Sequence, residues 1–324
     1  MLFTTANTLR TSISTHIRKA AFSSSARHLK DINSVTVIGA GLMGSGIVQV
    51  AAQANYKVTM VDTTDAALKN GQAIITKSIK RVAKKKFGEE NAAEQQAFID
   101  KALSNITVST DGPAAVAGSD LVVEAIVENI DVKQALFKAL DQAAPADTIF
   151  TSNTSSLPIT SIAEATSAAR RERFGGLHFF NPVPAMKLVE VVRTEVLKDE
   201  VYDSLATFAK NTGKTPVECK DTPGFIVNRL LVPYMMEAFR VLDRGDAKAK
   251  DIDVAMKLGA GMPMGPLELA DFVGLDTMKF IIDGWAKEGK IEEALVTPSK
   301  TLNSLVEQGS LGRKSGKGVY DYSK

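Results

Sequence analysis

Residues 35–62 confine the amino-terminal half of this chain to very few folds. Val35-Thr-Val-Ile38 is a short β-branched run that leads straight into Gly39-Ala-Gly41-Leu-Met-Gly44. A helical apolar pattern follows through Ile47, Val48, Val50 and Ala51. A second extended run, Lys57-Val-Thr-Met-Val61, then ends at Asp62. Strand, glycine turn, helix, strand and terminal acid together form the unit that cradles a dinucleotide. Gly39 permits the tight turn, Gly41 lets a pyrophosphate approach the backbone, and Gly44 lets the helix pack close to the strand. Free N–H groups at the helix start then face the phosphates. Three glycines alone would serve any tight turn, and Asp62 is what makes the unit specific. A carboxylate there accepts hydrogen bonds from the adenosine ribose and repels a 2′-phosphate. Thr63 and Thr64 follow it, not arginine, so the pattern selects NAD over NADP.

The alternation continues. Residues 66–105 read as helical and polar, with Lys80-Arg81-Val-Ala-Lys84-Lys-Lys86 in the middle. These cations form a solvated face, of which one or two could meet an anionic substrate tail. Strands are expected at Leu121–Val127, Thr148–Thr151 and Leu177–Phe180, with an amphipathic helix from Val132 to Ala143 between the first two. Such alternation gives a mostly parallel sheet. After a strand at Thr215–Cys219 it stops, and helices are expected near 224–243, 251–258, 272–288 and 301–308, interrupted by a loop at Met262–Pro266. The expected architecture is therefore α/β: a Rossmann-type, mostly parallel sheet domain over 31–219, followed by an all-helical carboxy-terminal domain over 220–324. A ligand cleft is expected between them.

Residues 1–30 stand apart. They hold five bases, no acid, and dense Ser and Thr, the composition of a mitochondrial transit peptide. The whole chain carries 39 bases and 37 acids; without the leader, 34 bases face 37 acids. That leaves no basic excess of the kind nucleic-acid binding requires. Cys219 is the one cysteine, which excludes an internal disulfide and suits a reducing compartment. A structural zinc site lacks ligands, and no apolar run is long enough for a membrane span.

Three histidines occur, two of them, His16 and His28, in the leader. His178 is thus the one imidazole expected in the mature protein. It lies on an extended run in Leu177-His178-Phe-Phe-Asn181-Pro-Val-Pro, and Glu190 follows in Leu188-Val-Glu190-Val-Val192. The period-two alternation puts Glu190 on the face of Leu188 and Val192, where an unpaired carboxylate is costly. A neutral histidine accepts protons near pH 7, and a carboxylate partner fixes its tautomer. The plainer alternative for His178 is a packed core residue. Asn153-Thr-Ser155-Ser156 directly follows a strand, where ligands sit in such sheets, and also suits a turn and helix cap. Asn228 opens an apolar helix, where an amide commonly bonds locally.

Seven ordered stretches resemble the L-3-hydroxyacyl-CoA dehydrogenase family in its mitochondrial β-oxidation form. They are Val37–Gly44, Asp120–Ala125, Ser152–Leu157, His178–Pro184, Asp221–Arg229, Met264–Asp271 and Gly312–Tyr320. The resemblance spans residues 31–324. It implies reversible oxidation of (S)-3-hydroxyacyl-CoA with NAD in the mitochondrial matrix. It implies that His178 takes the 3-hydroxyl proton, Glu190 orients His178, and Ser155 and Asn228 hold the substrate's reacting oxygen. It implies that Glu124 and Asn153 lie near the nicotinamide and its ribose. A homodimer formed through a substrate-binding carboxy-terminal domain is implied as well. Two other readings stay open: a biosynthetic ketoacyl-CoA reductase, and an NAD-binding structural protein that reuses the fold.

Overall fold

In this computed structural model, which describes residues 31–289 and 291–323, the first half of the chain alternates strand and helix. The expected leader lies outside the described residues. The order is β1 (Ser34–Ile38), α1 (Leu42–Gln53), β2 (Lys57–Val61), α2 (Asp65–Phe87), α3 (Ala92–Leu103), β3 (Ile106–Ser109), α4 (Gly112–Val116) and β4 (Leu121–Glu124). It continues with α5 (Ile130–Ala143), β5 (Ile149–Ser152), α6 (Ile159–Ala163), α7 (Ala168–Arg171), β6 (Phe174–Phe179), β7 (Leu188–Arg193), α8 (Asp199–Asn211) and β8 (Thr215–Lys220). The rest is helical: α9 (Val227–Asp243), α10 (Ala249–Gly259), α11 (Pro266–Val273), α12 (Leu275–Glu288), α13 (Glu293–Val296) and α14 (Lys300–Glu307).

The strands form one sheet in the order β3-β2-β1-β4-β5-β6-β7-β8. All pairings are parallel except β6 with β7. The chain order reverses between β1 and β4, so a crevice opens beyond their carboxyl ends, where ligands bind in such sheets. Val37, Leu121, Val122 and Val123 at this centre are wholly buried, because helices cover both faces. A separate core of Val232, Met236, Phe239, Leu267, Met278 and Trp285 holds the helical half together. Buried Asp253 and Asp271 accept the hydroxyls of Tyr320 and Tyr322 and stitch the carboxy-terminal tail onto it.

The expected fold class is what the structure has, with local differences. The polar run 66–105 is helical as expected, in two helices broken after Phe87, and is followed by a strand the sequence did not announce. That strand, β3, is the sheet edge, and its half-exposed Ile-Thr-Val-Ser lacks a core strand's apolar signature. The strand expected to reach Val127 stops at Glu124, because the Ile126 N–H turns back to the Glu124 carboxylate. Helix α8 was not anticipated; it lays Val201, Leu205, Phe208 and Ala209 into the main core. The run 272–288 belongs to two helices, α11 and α12, parted at Gly274, whose φ of +104° breaks the spiral.

Candidate functional site

The glycine turn behaves as its spacing requires. Gly39 has φ +110°, and a Cβ there would meet the Ala125 carbonyl oxygen at 2.5 Å. A Cβ on Gly44 would sit 1.8 Å from the Gly39 carbonyl oxygen, so helix and strand approach only because it is absent. At Gly41 a Cβ would meet nothing, which leaves room for a ligand against the backbone. Helix α1 begins there without a side-chain cap and without an acid in its first turn. Its free N–H groups suit a pyrophosphate. Asp62 stands at the end of β2, and its Oδ2 accepts the Ala40 N–H at 2.8 Å. The acid therefore braces the glycine turn and still has lone pairs for a ribose. These residues fit NAD.

A second constellation lies at the same edge of the sheet. The antiparallel register pairs His178 on β6 with Glu190 on β7. Directly opposed residues share a face, and His178 Nδ1 lies 2.7 Å from Glu190 Oε2. The other oxygen, Oε1, accepts the N–H groups of Ile226 and Val227 at 3.0 and 2.9 Å. One buried carboxylate thus holds the imidazole and the start of α9 together. Burial pushes the Glu190 carboxyl up, but His178 and those two amides outweigh it and hold the group below the ordinary carboxylate value. An ionised Glu190 can only accept, so the Nδ1–H of His178 donates to it, which leaves Nε2 of the neutral ring with a lone pair. His178 Nε2 faces Ser155 Oγ at 3.2 Å. Asn228, in the first turn of α9, donates to the Ser155 carbonyl at 3.4 Å. Asn153 Oδ1 accepts the Phe179 N–H at 2.8 Å and so ties the end of β5 to β6.

Asn153, Ser155, His178 and Asn228 all line one cleft of about 220 Å³. Met43 of α1 joins them from the cofactor side, and Leu231, Met235 and Ile281 form an apolar wall from the helical half. Glu124 does not reach this cleft. It is fully buried, and its oxygens accept from Lys133 Nζ, the Ile126 N–H and the Ser152 hydroxyl. Sequence reasoning missed its neighbours. Lys133, buried, also lies 3.3 Å from Glu128. Glu128 Oε1 accepts the N–H groups of Ser155 and Ser156 and the hydroxyls of Thr154 and Ser156. Burial raises the Glu128 carboxyl, yet Lys133 and these donors together hold it low. Glu128 therefore fixes the turn that presents Ser155. The one signal for it was an acid just past β4, at the edge where Asn153–Ser156 also end.

An NAD-shaped corner opening onto a carboxylate-braced histidine defines a nicotinamide-dependent oxidoreductase. The profile of the 3-hydroxyacyl-CoA dehydrogenase NAD-binding domain matches residues 34–222, and that of the family's C-terminal domain matches 224–322. The chain belongs to this family. It is 57% identical over 291 residues to the human mitochondrial hydroxyacyl-coenzyme A dehydrogenase, covering 90% of this chain and 91% of that protein. A probable 3-hydroxyacyl-CoA dehydrogenase of Caenorhabditis elegans is 56% identical over 92% of this chain and 96% of its own. The crystal structure of (S)-3-hydroxybutyryl-CoA dehydrogenase from Ralstonia eutropha superposes with a TM-score of 0.84 at 41% identity, covering 91% of this chain and all of that one. The chain is accordingly an NAD-dependent 3-hydroxyacyl-CoA dehydrogenase.

Proposed function

We propose that this enzyme oxidises (S)-3-hydroxyacyl-CoA to 3-ketoacyl-CoA, reversibly, in mitochondrial fatty-acid β-oxidation. The observation that carries the reading is the double anchoring of His178, with Nδ1 on Glu190 and Nε2 on Ser155 at the cleft. In oxidation, His178 Nε2 accepts the 3-hydroxyl proton. Bound NAD supplies the hydride acceptor. Glu190 stabilises the resulting imidazolium, and Ser155 and Asn228 hold the reacting oxygen. Gly39, Gly41, Gly44 and Asp62 seat the cofactor; Asn153 lines the cleft on the nicotinamide side, and Glu124, buried behind it, braces the end of β5 through the Ser152 hydroxyl. In reduction the imidazolium returns the proton.

A second hollow shares Asn181 with the reaction cleft and is lined by Lys77 and Arg81, which suits the anionic tail of an acyl-CoA. The leader's composition and the mitochondrial names of the human, rat and pig relatives support import to the matrix. No described helix is long and apolar enough to cross a membrane. On the helical domain, residues 220–324, Leu230, Leu258, Phe272 and Phe280 are exposed, with Leu258 84% accessible. So much exposed apolar surface supports a homodimer through this domain. A steady-state assay with acetoacetyl-CoA tests the activity. NADH should be consumed and NADPH used far less; no turnover with either would leave only an NAD-binding structural protein.

A further inference from the structure

Lys214 is a buried base that the reaction does not use. It precedes β8 and is only 7% accessible. Its ammonium donates to the carbonyls of Val183 and, at 2.8 Å, Met186. The charged neighbour it feels is Lys187, of like sign, and burial together with that charge pushes it down to about 8. An ammonium taken out of water and satisfied by carbonyls alone is costly to keep. What it gains is hold over one turn. Both acceptors lie between β6 and β7, in the segment that begins at Asn181 and ends at Lys187. This segment has its own inward anchor. Val183 is buried and rests on Gly46 of α1 so closely that a Cβ at Gly46 would come within 2.7 Å of the Val183 Cβ. The turn is therefore clamped from two sides, by Lys214 and by α1. Between the clamps, Asn181 lines the reaction cleft, and Asn181, Pro182, Val183 and Pro184 form a wall of the hollow that also holds Lys77 and Arg81.

We propose that Lys214 is a positioning residue for the acyl-CoA substrate: its two hydrogen bonds lock the Asn181–Met186 turn in the shape that receives the thioester end of the ligand. This rests on the acyl-CoA reading above and adds a residue to it that no contact with the reacting atoms would disclose. Lys214 donates to the carbonyls of Val183 and Met186 and to no atom of the glycine turn or Asp62, so its loss should act on the acyl-CoA more than on the cofactor.

The test is steady-state kinetics on full-length Lys214→Met and Lys214→Arg with acetoacetyl-CoA and NADH. Methionine keeps the length and removes the donors. It should raise KM for acetoacetyl-CoA about tenfold, the scale of a lost charged hydrogen bond. KM for NADH should move less than about twofold and kcat less than about threefold. Arginine retains donors for both carbonyls and should return KM for acetoacetyl-CoA most of the way. Unchanged KM in Lys214→Met overturns the proposal, as does a fall in kcat with both KM values rising together, which is general damage to the fold. If Lys214→Met does not fold, Val183→Ala loosens the same turn from its other clamp. It must then show the same selective rise in KM, and a normal KM there overturns the proposal too. Inactive wild-type protein would instead defeat the acyl-CoA reading itself.

Discussion

The cofactor corner and the reaction centre occupy one edge of one sheet, yet they are built in opposite ways. The corner is local: Gly39, Gly41, Gly44 and Asp62 lie within twenty-four residues, and each contact between them is made by chain that is nearly contiguous. The reaction centre is assembled. Ser155 follows β5, His178 and Glu190 come from a pair of antiparallel strands, and Asn228 arrives on the first helix of the other half. Glu190 joins these pieces by holding His178 with one oxygen and the start of α9 with the other. The corner can therefore be broken without disturbing the centre, while the centre fails if either half of the molecule moves.

Breaking the corner should have the largest single effect on binding. In Gly44→Ala the new Cβ meets backbone, not a flexible side chain, so the turn must open. NADH affinity, read by titration calorimetry, should fall about a hundredfold or more, a loss of roughly 3 kcal/mol. Should NADH bind normally, the geometric account of the corner is wrong.

Smaller losses are expected from Ser155→Ala and Asn228→Ala, which on the proposed roles remove hydrogen bonding around the reacting oxygen. Turnover should drop about ten- to hundredfold in each, with NADH affinity unchanged. Equal damage to NADH binding would erase the distinction between the two regions.

Acid should separate the regions more gently. Glu190 and Glu128 are both held below the ordinary glutamate value of 4.5 and remain ionised in the folded protein. A depressed carboxyl contributes stability that is fully present above its unfolded value and is lost as pH falls through its folded value. Thermal unfolding should therefore shift down steeply below pH 4.5. Glu128→Gln should have a lower melting temperature at neutral pH and a flatter acid limb. An acid limb identical to wild type would remove Glu128 from the network.

The contrast between the regions also explains what was legible in the sequence. The glycine turn and Asp62 could be read as one unit because local spacing largely dictates their geometry. His178 and Glu190 were legible as candidates, since a carboxylate on an apolar strand face needs a partner and one histidine was at hand. That they are cross-strand neighbours depends on where the Asn181–Lys187 turn sets the register. Glu128 and Lys133 were invisible for a related reason: the turn they hold lies more than twenty residues further along the chain. Lys214 gave no signal, because its partners are backbone carbonyls. Edge strand β3 was hidden by its own half-exposure. Glu124 was legible as an acid at the right edge of the sheet, but the ion pair that buries it required the fold.

The central claim is that His178 and Glu190 work as one acid–base unit beside an independently built cofactor corner. It is tested most directly by turnover of His178→Ala, Glu190→Gln and the double variant, in both directions, with NADH affinity measured alongside. Loss of a general base of this kind costs about a hundred- to ten-thousandfold. His178→Ala should show a loss on that scale in oxidation and in reduction, Glu190→Gln a somewhat smaller one, and the double variant little more than His178→Ala alone, because groups that act together are not additive. NADH should bind all three as it binds wild type. Near-wild-type turnover in His178→Ala, or losses that simply multiply in the double variant, would contradict the account.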